Sequence, residues 1–362
     1  MDLRLSDEQS QLVEAFAALY DKHAPSERVR AAEPIGFDAD LWGQLVETGV
    51  VAMAVGEDAG GWGASALDLA LVAEQHGRFV APAPVIEAQV AVRLLARLAR
   101  LDSGAAWSAL EDALAGERLV TLALHPTRDG QAALVPAAAV ADAASVLDGD
   151  RLLLVPLDDA VRTTVENLGS MPLADVNVAA IRDSATVVLA SGPDALAAHD
   201  AAVDDFLRLT AAALVGMGAR ALEMGVEYVK ERTAFGVPIG SFQAISHRLA
   251  DSAAALDGAR LLAYEAACAV DDEPTRAAEL AAMAFVFAYE SAGDATYRSL
   301  HFHGGYGFMM EYDVQLYYRR ARAWANVYAE PRAVLRRAAD RRYGVPASAS
   351  PGPTAASNEG AA

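Results

Sequence analysis

The residues from Glu231 to Gln243 hold the most readable chemistry in the chain. Arg232 falls at the end of a long apolar-periodic segment, where a guanidinium can fork two hydrogen bonds onto a diphosphate. Phe235 offers a face to a planar ring. Gly236 to Ser241 form a turn that brings Phe242 and Gln243 back. Gln243 opens the next helical segment, whose free N–H groups and dipole suit an anion. The set reads as a grip for a dinucleotide diphosphate. Any one of these residues alone would fit an ordinary helix connection with an Arg on the C-terminal dipole; the joint pattern does not. A second stretch, His301-Phe302-His303-Gly304-Gly305-Tyr306-Gly307-Phe308, has glycines that let a backbone approach a ligand closely. Its two histidines have no carboxylate or Cys at ligand spacing, so no metal site is expected.

The first stretch resembles the ERxxFGxPIxxFQ signature of the FAD-dependent acyl-CoA dehydrogenases, and the second resembles that family's QxxGGxGF loop, with His301 in the place of Gln. Glu311-Tyr312 with Arg319-Arg320-Ala321, and Leu41-Trp42, Gly49 and Glu57 to Gly61 nearer the N-terminus, continue the resemblance over about residues 3–342. It implies that Arg232, Phe235, Gln243, His301, Gly304 and Gly305 bind FAD, and that the first three grip the FAD of a neighbouring subunit. It implies an acyl-CoA substrate and, by analogy, electron-transferring flavoprotein as acceptor. The family removes a proton from the carbon α to a CoA thioester and passes a hydride from the β carbon to the flavin. A carboxylate in a dry pocket serves as the base.

Two departures bear on that chemistry. Counted from Gly304-Gly305, the family's catalytic Glu slot holds Tyr328, or Ala329 with one inserted residue; Glu330 lies just beyond, before Pro331. Some members carry the base on the long helix instead; that slot holds Phe206, with Asp204 and Asp205 beside it. Glu330 and, less directly, Asp205 are the candidate bases, weighed against a solvated surface carboxylate and a charge in a helix's first turn. The family's TEPxAGSD loop, which holds the flavin ring, is represented by Leu124-His125-Pro126-Thr127-Arg128-Asp129-Gly130 and has lost its Glu and its Ser-Asp pair. These losses resemble the subunit without a complete flavin site in actinobacterial α2β2 heterotetrameric steroid side-chain acyl-CoA dehydrogenases. The resemblance therefore implies a partner subunit and dehydrogenation of a bulky acyl-CoA to the 2,3-enoyl-CoA. The alternatives are a self-sufficient homotetramer using Glu330 or Asp205, and a flavin-free scaffold or acyl-CoA-binding module.

Elements that would position these residues follow from periodicity. Ser6 and Gln9 have capping-box spacing ahead of an apolar stripe through Leu12, Phe16 and Leu19. Further helical patterns run around Leu41 to Val50, Leu67 to Gly77, Val85 to Leu98 and Trp107 to Leu114. Val120 to Leu124 is strand-like, Val146 to Val155 reads as two strands around an Asp-Gly turn, and Thr186 to Leu189 ends another strand. Long helices then span about thirty residues through Leu207 to Val229, Ala244 to Val270, Arg276 to His301 and Val314 to Arg341. The expectation is a mainly α protein with a small β domain: helical domain 1–116, β domain 117–192, four-helix bundle 193–345 and a disordered tail 346–362.

Composition narrows the function classes. A formal net charge of -20 repels phosphate backbones, so nucleic-acid binding is not expected. Cys268 is the single cysteine, which fits a reducing cytoplasm and reads as a buried, inert helix thiol. No secretory leader is recognised, and no apolar run is read as approaching the ~20 residues of a membrane span.

Overall fold

A computed structural model describes residues 3–181 and 186–344. The expected tail, 346–362, lies outside the described residues. Helices α1 (Asp7–His23), α2 (Ser26–Ala31), α3 (Ala39–Glu47), α4 (Ala66–Arg78), α5 (Val85–Ala99) and α6 (Gly104–Leu114) precede the strands. The Ser6–Gln9 capping box is present: Ser6 Oγ accepts from Gln9 N, and Gln9 Oε1 accepts from Ser6 N. Seven strands follow: β1 (Val120–Leu122), β2 (Gln131–Val135), β3 (Ala143–Asp148), β4 (Arg151–Pro156), β5 (Arg162–Thr164), β6 (Ala174–Asn177) and β7 (Val187–Ser191). One sheet runs β1-β3-β4-β7, with β1 parallel to β3 and the β3–β4 hairpin turning at Asp148–Arg151. A second, antiparallel sheet runs β2-β6-β5. Sequence reasoning missed this second sheet because its strands are short and carry Ala, Asp and Asn, with little β propensity to mark them.

The rest is helical: α7 (Pro193–Glu231), the small hairpin β8 (Thr233–Ala234) and β9 (Val237–Pro238), α8 (Gln243–Asp272), α9 (Ala277–Phe302), α10 (Val314–Asn326) and α11 (Pro331–Tyr343). The expected single helix from Val314 to Arg341 is in fact two. Pro331 cannot extend the preceding turn, and Glu330 before it is extended at φ -60, ψ 147. At 39 residues, α7 exceeds the expected thirty and is long and apolar enough by composition to cross a membrane, which corrects the reading of the apolar runs. It is the central helix of the bundle instead: 67% of its most apolar window is buried, against α4, α5, α8, α9 and α10.

Where α4 crosses α7, two glycines face each other's backbone. A Cβ on Gly77 would stand 1.9 Å from Ala213 O, and one on Gly216 would stand 1.9 Å from Glu74 O. This backbone-to-backbone contact sets the distance between the N-terminal helices and the bundle. One continuous core runs from Tyr20 and Leu41 through Val146 and Leu152 to Phe206; a second, around Leu214, Phe285 and Leu316, fills the bundle.

Candidate functional site

The residues expected to grip a diphosphate begin at the end of α7. Arg232 caps that helix, its N–H donating to Tyr228 O, and Ile239 N closes the loop on Arg232 O at 2.8 Å. Between Ala234 and Val237, which pair across the β8–β9 hairpin, only Phe235 and Gly236 remain, at φ 52 and 82. Both signs are those of a type I′ turn, whose twist suits a two-residue hairpin. Phe235 tolerates the left-handed conformation at a cost, and strain of this kind collects at functional sites. The turn leaves its ring 97% exposed, with Phe242 edge-on at 6.3 Å. Gln243 begins α8, whose N-terminus has no side-chain cap, so its first N–H groups are free to meet an anion. Among the described residues, neither the Arg232 guanidinium nor the Gln243 amide has a side-chain hydrogen bond or ion pair.

The glycine stretch lies beside this turn. Tyr228, one helical turn before Arg232, stacks on the His303 ring at 4.1 Å. His303 Nδ1 bonds Ser299 O at 2.7 Å, so this imidazole is committed to structure. Gly304 and Gly305 are exposed, and a Cβ on either would meet nothing within 4 Å. His301 is exposed as well, its ring stacked on Tyr297 at 5.9 Å. The six residues expected to hold cofactor thus all lie on the surface, and among the described residues the Arg232 and Gln243 side chains have no hydrogen-bond or ion-pair partner.

The other half of the expected site differs. A groove of about 440 Å³ runs between the strands and the bundle, lined by Leu124, His125, Asp200, Val203, Tyr328 and Arg337 among others. His125, from the loop in the place of TEPxAGSD, lies flat on Tyr328, from the expected Glu slot. The rings are 5.0 Å apart at 6°, and His125 Nε2 bonds Tyr328 O at 2.6 Å. Burial raises the Tyr328 phenol, so it stays neutral. The two loops whose counterparts would hold a flavin ring and its base are stacked on one another.

Neither candidate base lines the groove beside His125 and Tyr328. Glu330 is exposed at the start of α11. Asp205 is buried at 3% exposure and bonded to Arg93 Nε at 2.9 Å, to Arg208 Nη1 at 2.5 Å and to Arg97 Nη2. Burial alone would push its pKa up; the three guanidiniums outweigh that and hold the carboxyl well below the usual range. Asp204, on the adjacent position, is raised by burial despite Arg337 and Arg341. Cys268 is partly exposed rather than buried, and its thiol is raised, first by desolvation and then by Asp272 and Asp271, so it is not activated.

Phe206 points the other way, into a narrow slot that also touches His76, Glu87, Thr210, Arg320 and Trp324. The slot measures about 550 Å³ counted to its mouth, but only about 40 Å³ is wide enough to centre a water. Glu87 is the carboxyl that sequence reasoning missed. Desolvation pushes it up to about 7, with no charged partner to oppose the shift. The signal was present: Glu87 heads the helical stripe Val90, Ala91, Leu94 and Leu98, all of which are buried.

Residues 6–107 match the acyl-CoA dehydrogenase N-terminal domain, and residues 205–329 match the acyl-CoA dehydrogenase C-terminal domain. Acyl-CoA dehydrogenase IpdE2 of Mycolicibacterium smegmatis is 32% identical over 341 residues, covering 92% of this chain and 98% of the relative. The chain belongs to the acyl-CoA dehydrogenase family. The IpdE2 of Mycobacterium tuberculosis is 32% identical over 339 residues, 91% of this chain and 96% of its own length. Among solved structures, a variant of the Tcur3481-Tcur3483 steroid ACAD superposes with a TM-score of 0.82 at 27% identity, covering 93% of this chain and 98% of that one. The ChsE4-ChsE5 complex from Mycobacterium tuberculosis gives 0.81 at 26% identity, covering 96% and 100%. The family consists of FAD-dependent oxidoreductases. In this acyl-CoA dehydrogenase the exposed Arg232, Phe235 and Gln243 fit a dinucleotide, whereas the His125–Tyr328 stack does not fit a flavin ring.

Proposed function

We propose that this chain is the subunit of an α2β2 acyl-CoA dehydrogenase that completes the FAD site of a partner subunit. One observation carries the reading: the expected grip for a diphosphate is open and unpaired among the described residues, while the loops in the places of the ring-holding loop and the catalytic Glu are tied to each other by His125 on Tyr328. An open grip is available to a ligand brought by another chain, and the two loops that would hold a flavin ring of the chain's own are instead stacked on each other through His125 and Tyr328. Arg232 would fork onto the partner's diphosphate, Phe235 would cover its adenine, and the uncapped start of α8 at Gln243 would face its charge. The bound group supplies the hydride acceptor. Relatives described as a steroid ACAD and as a two-chain complex support a bulky acyl-CoA, such as a steroid side-chain thioester, oxidised to the 2,3-enoyl-CoA. Electron-transferring flavoprotein is the acceptor that the family suggests.

The self-sufficient alternative lacks support from its two candidate bases, because Glu330 is solvated and Asp205 is neutralised. A flavin-free scaffold would have no use for an exposed, strained Phe235 beside an unpaired Arg232.

Flavin content decides among the three. The chain is purified alone and after coexpression with a complete acyl-CoA dehydrogenase. No flavin alone, with about one FAD per pair of chains in the complex, is the expected result. One FAD per chain in the lone protein would overturn the reading, and a complex without flavin would establish the scaffold.

A further inference from the structure

Helix α11 is built differently from its neighbours. Five of its 13 residues are arginines: Arg332, Arg336, Arg337, Arg341 and Arg342. Only Val334 and Ala338 are buried, whereas α10, of the same length, buries seven residues. Little apolar surface therefore holds α11 down, and ion pairs supply the remaining contacts. Arg337 Nε meets Asp204 Oδ1 at 2.9 Å, and its Nη2 meets Asp200 Oδ1 at 2.7 Å and Asp200 O at 3.0 Å. Arg341 Nη2 meets Asp204 Oδ2 at 3.0 Å and pairs with Asp200 as well. The two aspartates are one turn apart on α7 and the two arginines one turn apart on α11, so the four charges form one cross-linked set. Beyond them, Arg342 Nη1 meets Glu279 Oε1 on α9 at 2.7 Å.

These bonds sit close to balance. Asp204 is 6% exposed, and burial raises its carboxyl despite both guanidiniums. Taking such charges out of water can cost as much as their mutual attraction contributes. A hinge is also in place. Residues 327–330, between α10 and α11, are not helical, and Pro331 keeps the two helices from fusing. Tyr328 lies in that linker, its ring on the His125 ring and its carbonyl on His125 Nε2. Burial raises the Tyr328 phenol, and Arg337 beside it opposes the shift. Arg337 thus joins α7, α11 and the linker, and it lines the groove of about 440 Å³ together with His125, Asp200 and Tyr328.

We propose that α11 is a latch on the groove between the strands and the bundle. It lies down when Arg337 and Arg341 engage Asp200 and Asp204. When it lifts, the linker follows, Tyr328 leaves His125, and the groove widens beside the loop 124–130. The rest of the bundle stays folded. Helices α7, α8 and α9 share the core around Leu214, Ala263 and Phe285, which α11 joins only through Val334 and Ala338. The device acts on this chain's own groove and does not depend on a partner subunit.

The test is hydrogen exchange of the full chain, read by mass spectrometry on peptides from α11 and α9. In the wild type, the slow amides of α11 exchange roughly tenfold faster than those of α9, through an opening short of global unfolding. Asp200→Asn combined with Asp204→Asn keeps the side-chain shapes and strands two guanidiniums that can reach water only by opening. It speeds α11 exchange roughly tenfold further and leaves α9 unchanged. His125→Ala lies on neither helix, yet coupling is reciprocal, so losing its bond to Tyr328 speeds α11 exchange about two- to tenfold. Equal exchange of α11 and α9 in the wild type, the mark of opening only with the whole bundle, overturns the proposal. So does α11 exchange that the Asn pair leaves unchanged, because the ion pairs are then not the hold. So does α11 exchange that His125→Ala leaves unchanged, because the helix is then not linked to the groove. His125 is exposed, so its variant and the wild-type comparison decide the matter if the Asn pair does not fold.

Discussion

Replacing Asp205 by Asn separates its two possible roles. The substitution keeps the shape and removes the carboxylate that pairs with Arg93, Arg97 and Arg208. Breaking a buried pair by removing one partner costs about 3–5 kcal/mol, because the surviving charge stays desolvated. Three charges survive here, but unequally. The Arg208 side chain is 5% exposed and cannot reach water, whereas Arg93 at 18% and Arg97 at 30% can partly rehydrate. The lower end, about 3 kcal/mol, is therefore the expected loss. At about 2–4 °C per kcal/mol for a domain-sized cooperative unit, Tm falls by roughly 6–12 °C. The pH dependence follows from the sign of the shift. The folded carboxyl is held below its unfolded pKa, so its contribution is present in full above about pH 4 and is lost only as pH falls well below that. Scanning calorimetry of wild type and Asp205→Asn should therefore give a gap that stays constant from pH 5 to 8 and closes in acid. Adding Arg97→Ala to Asp205→Asn should recover about 1 kcal/mol by removing one of the repelling charges. A Tm change under about 2 °C, or a gap that narrows as pH rises from 5 to 7, would refute the clamp. The second outcome would instead mark Asp205 as a group titrating near neutrality, as a general base does.

Three further outcomes are expected. Glu87→Gln should stabilise the chain above neutral pH, by up to about 3 kcal/mol, and leave it unchanged near pH 4. The folded carboxyl is raised to about 7, so wild-type stability declines between the unfolded pKa and that value and is flat beyond it. That figure is an upper one because the Glu87 side chain keeps some contact with the slot, and denaturant melts at several pH values read it. Arg232→Ala should leave the melting of the lone chain within about 0.5 kcal/mol, since the side chain is exposed and unpaired. In the coexpressed complex it should weaken flavin retention about ten- to hundredfold, read by fluorescence after dilution. Gly216→Ala gains helix propensity but puts a Cβ against the Glu74 carbonyl at 1.9 Å, where backbone cannot give way; a net loss of about 1–3 kcal/mol is expected by calorimetry.

The backbone around Arg232 to Gln243 was legible in the sequence because it is local. Arg232, Phe235, Gly236 and Gln243 lie within one helix end, one two-residue turn and one helix start, and short-range geometry decides all three. The long bundle helices, the Asp-Gly hairpin and the Ser6 cap were legible for the same reason: each is specified by residues a few positions apart. The break at Pro331 could have been read from the proline itself, but the apolar period runs across it and masked the stop.

Relations between distant segments could not be read this way. His125 and Tyr328 are 203 positions apart, and neither residue type announces that the two rings stack. Asp205 reads as a first-turn charge beside an expected catalytic slot; its meaning comes from Arg93 and Arg97 on another helix, and their field reverses the effect of burial. Glu87 reads as an ordinary helix-start acid until the fold removes its water and gives it no counter-charge. By itself the sequence determined the helices, the Arg232-to-Gln243 turn and the family the chain resembles, because propensity, capping and turn chemistry act over a few residues. Only the tertiary structure decided which carboxyls are neutralised, stranded or solvated, because desolvation and charge pairing depend on what the folded chain places around each group.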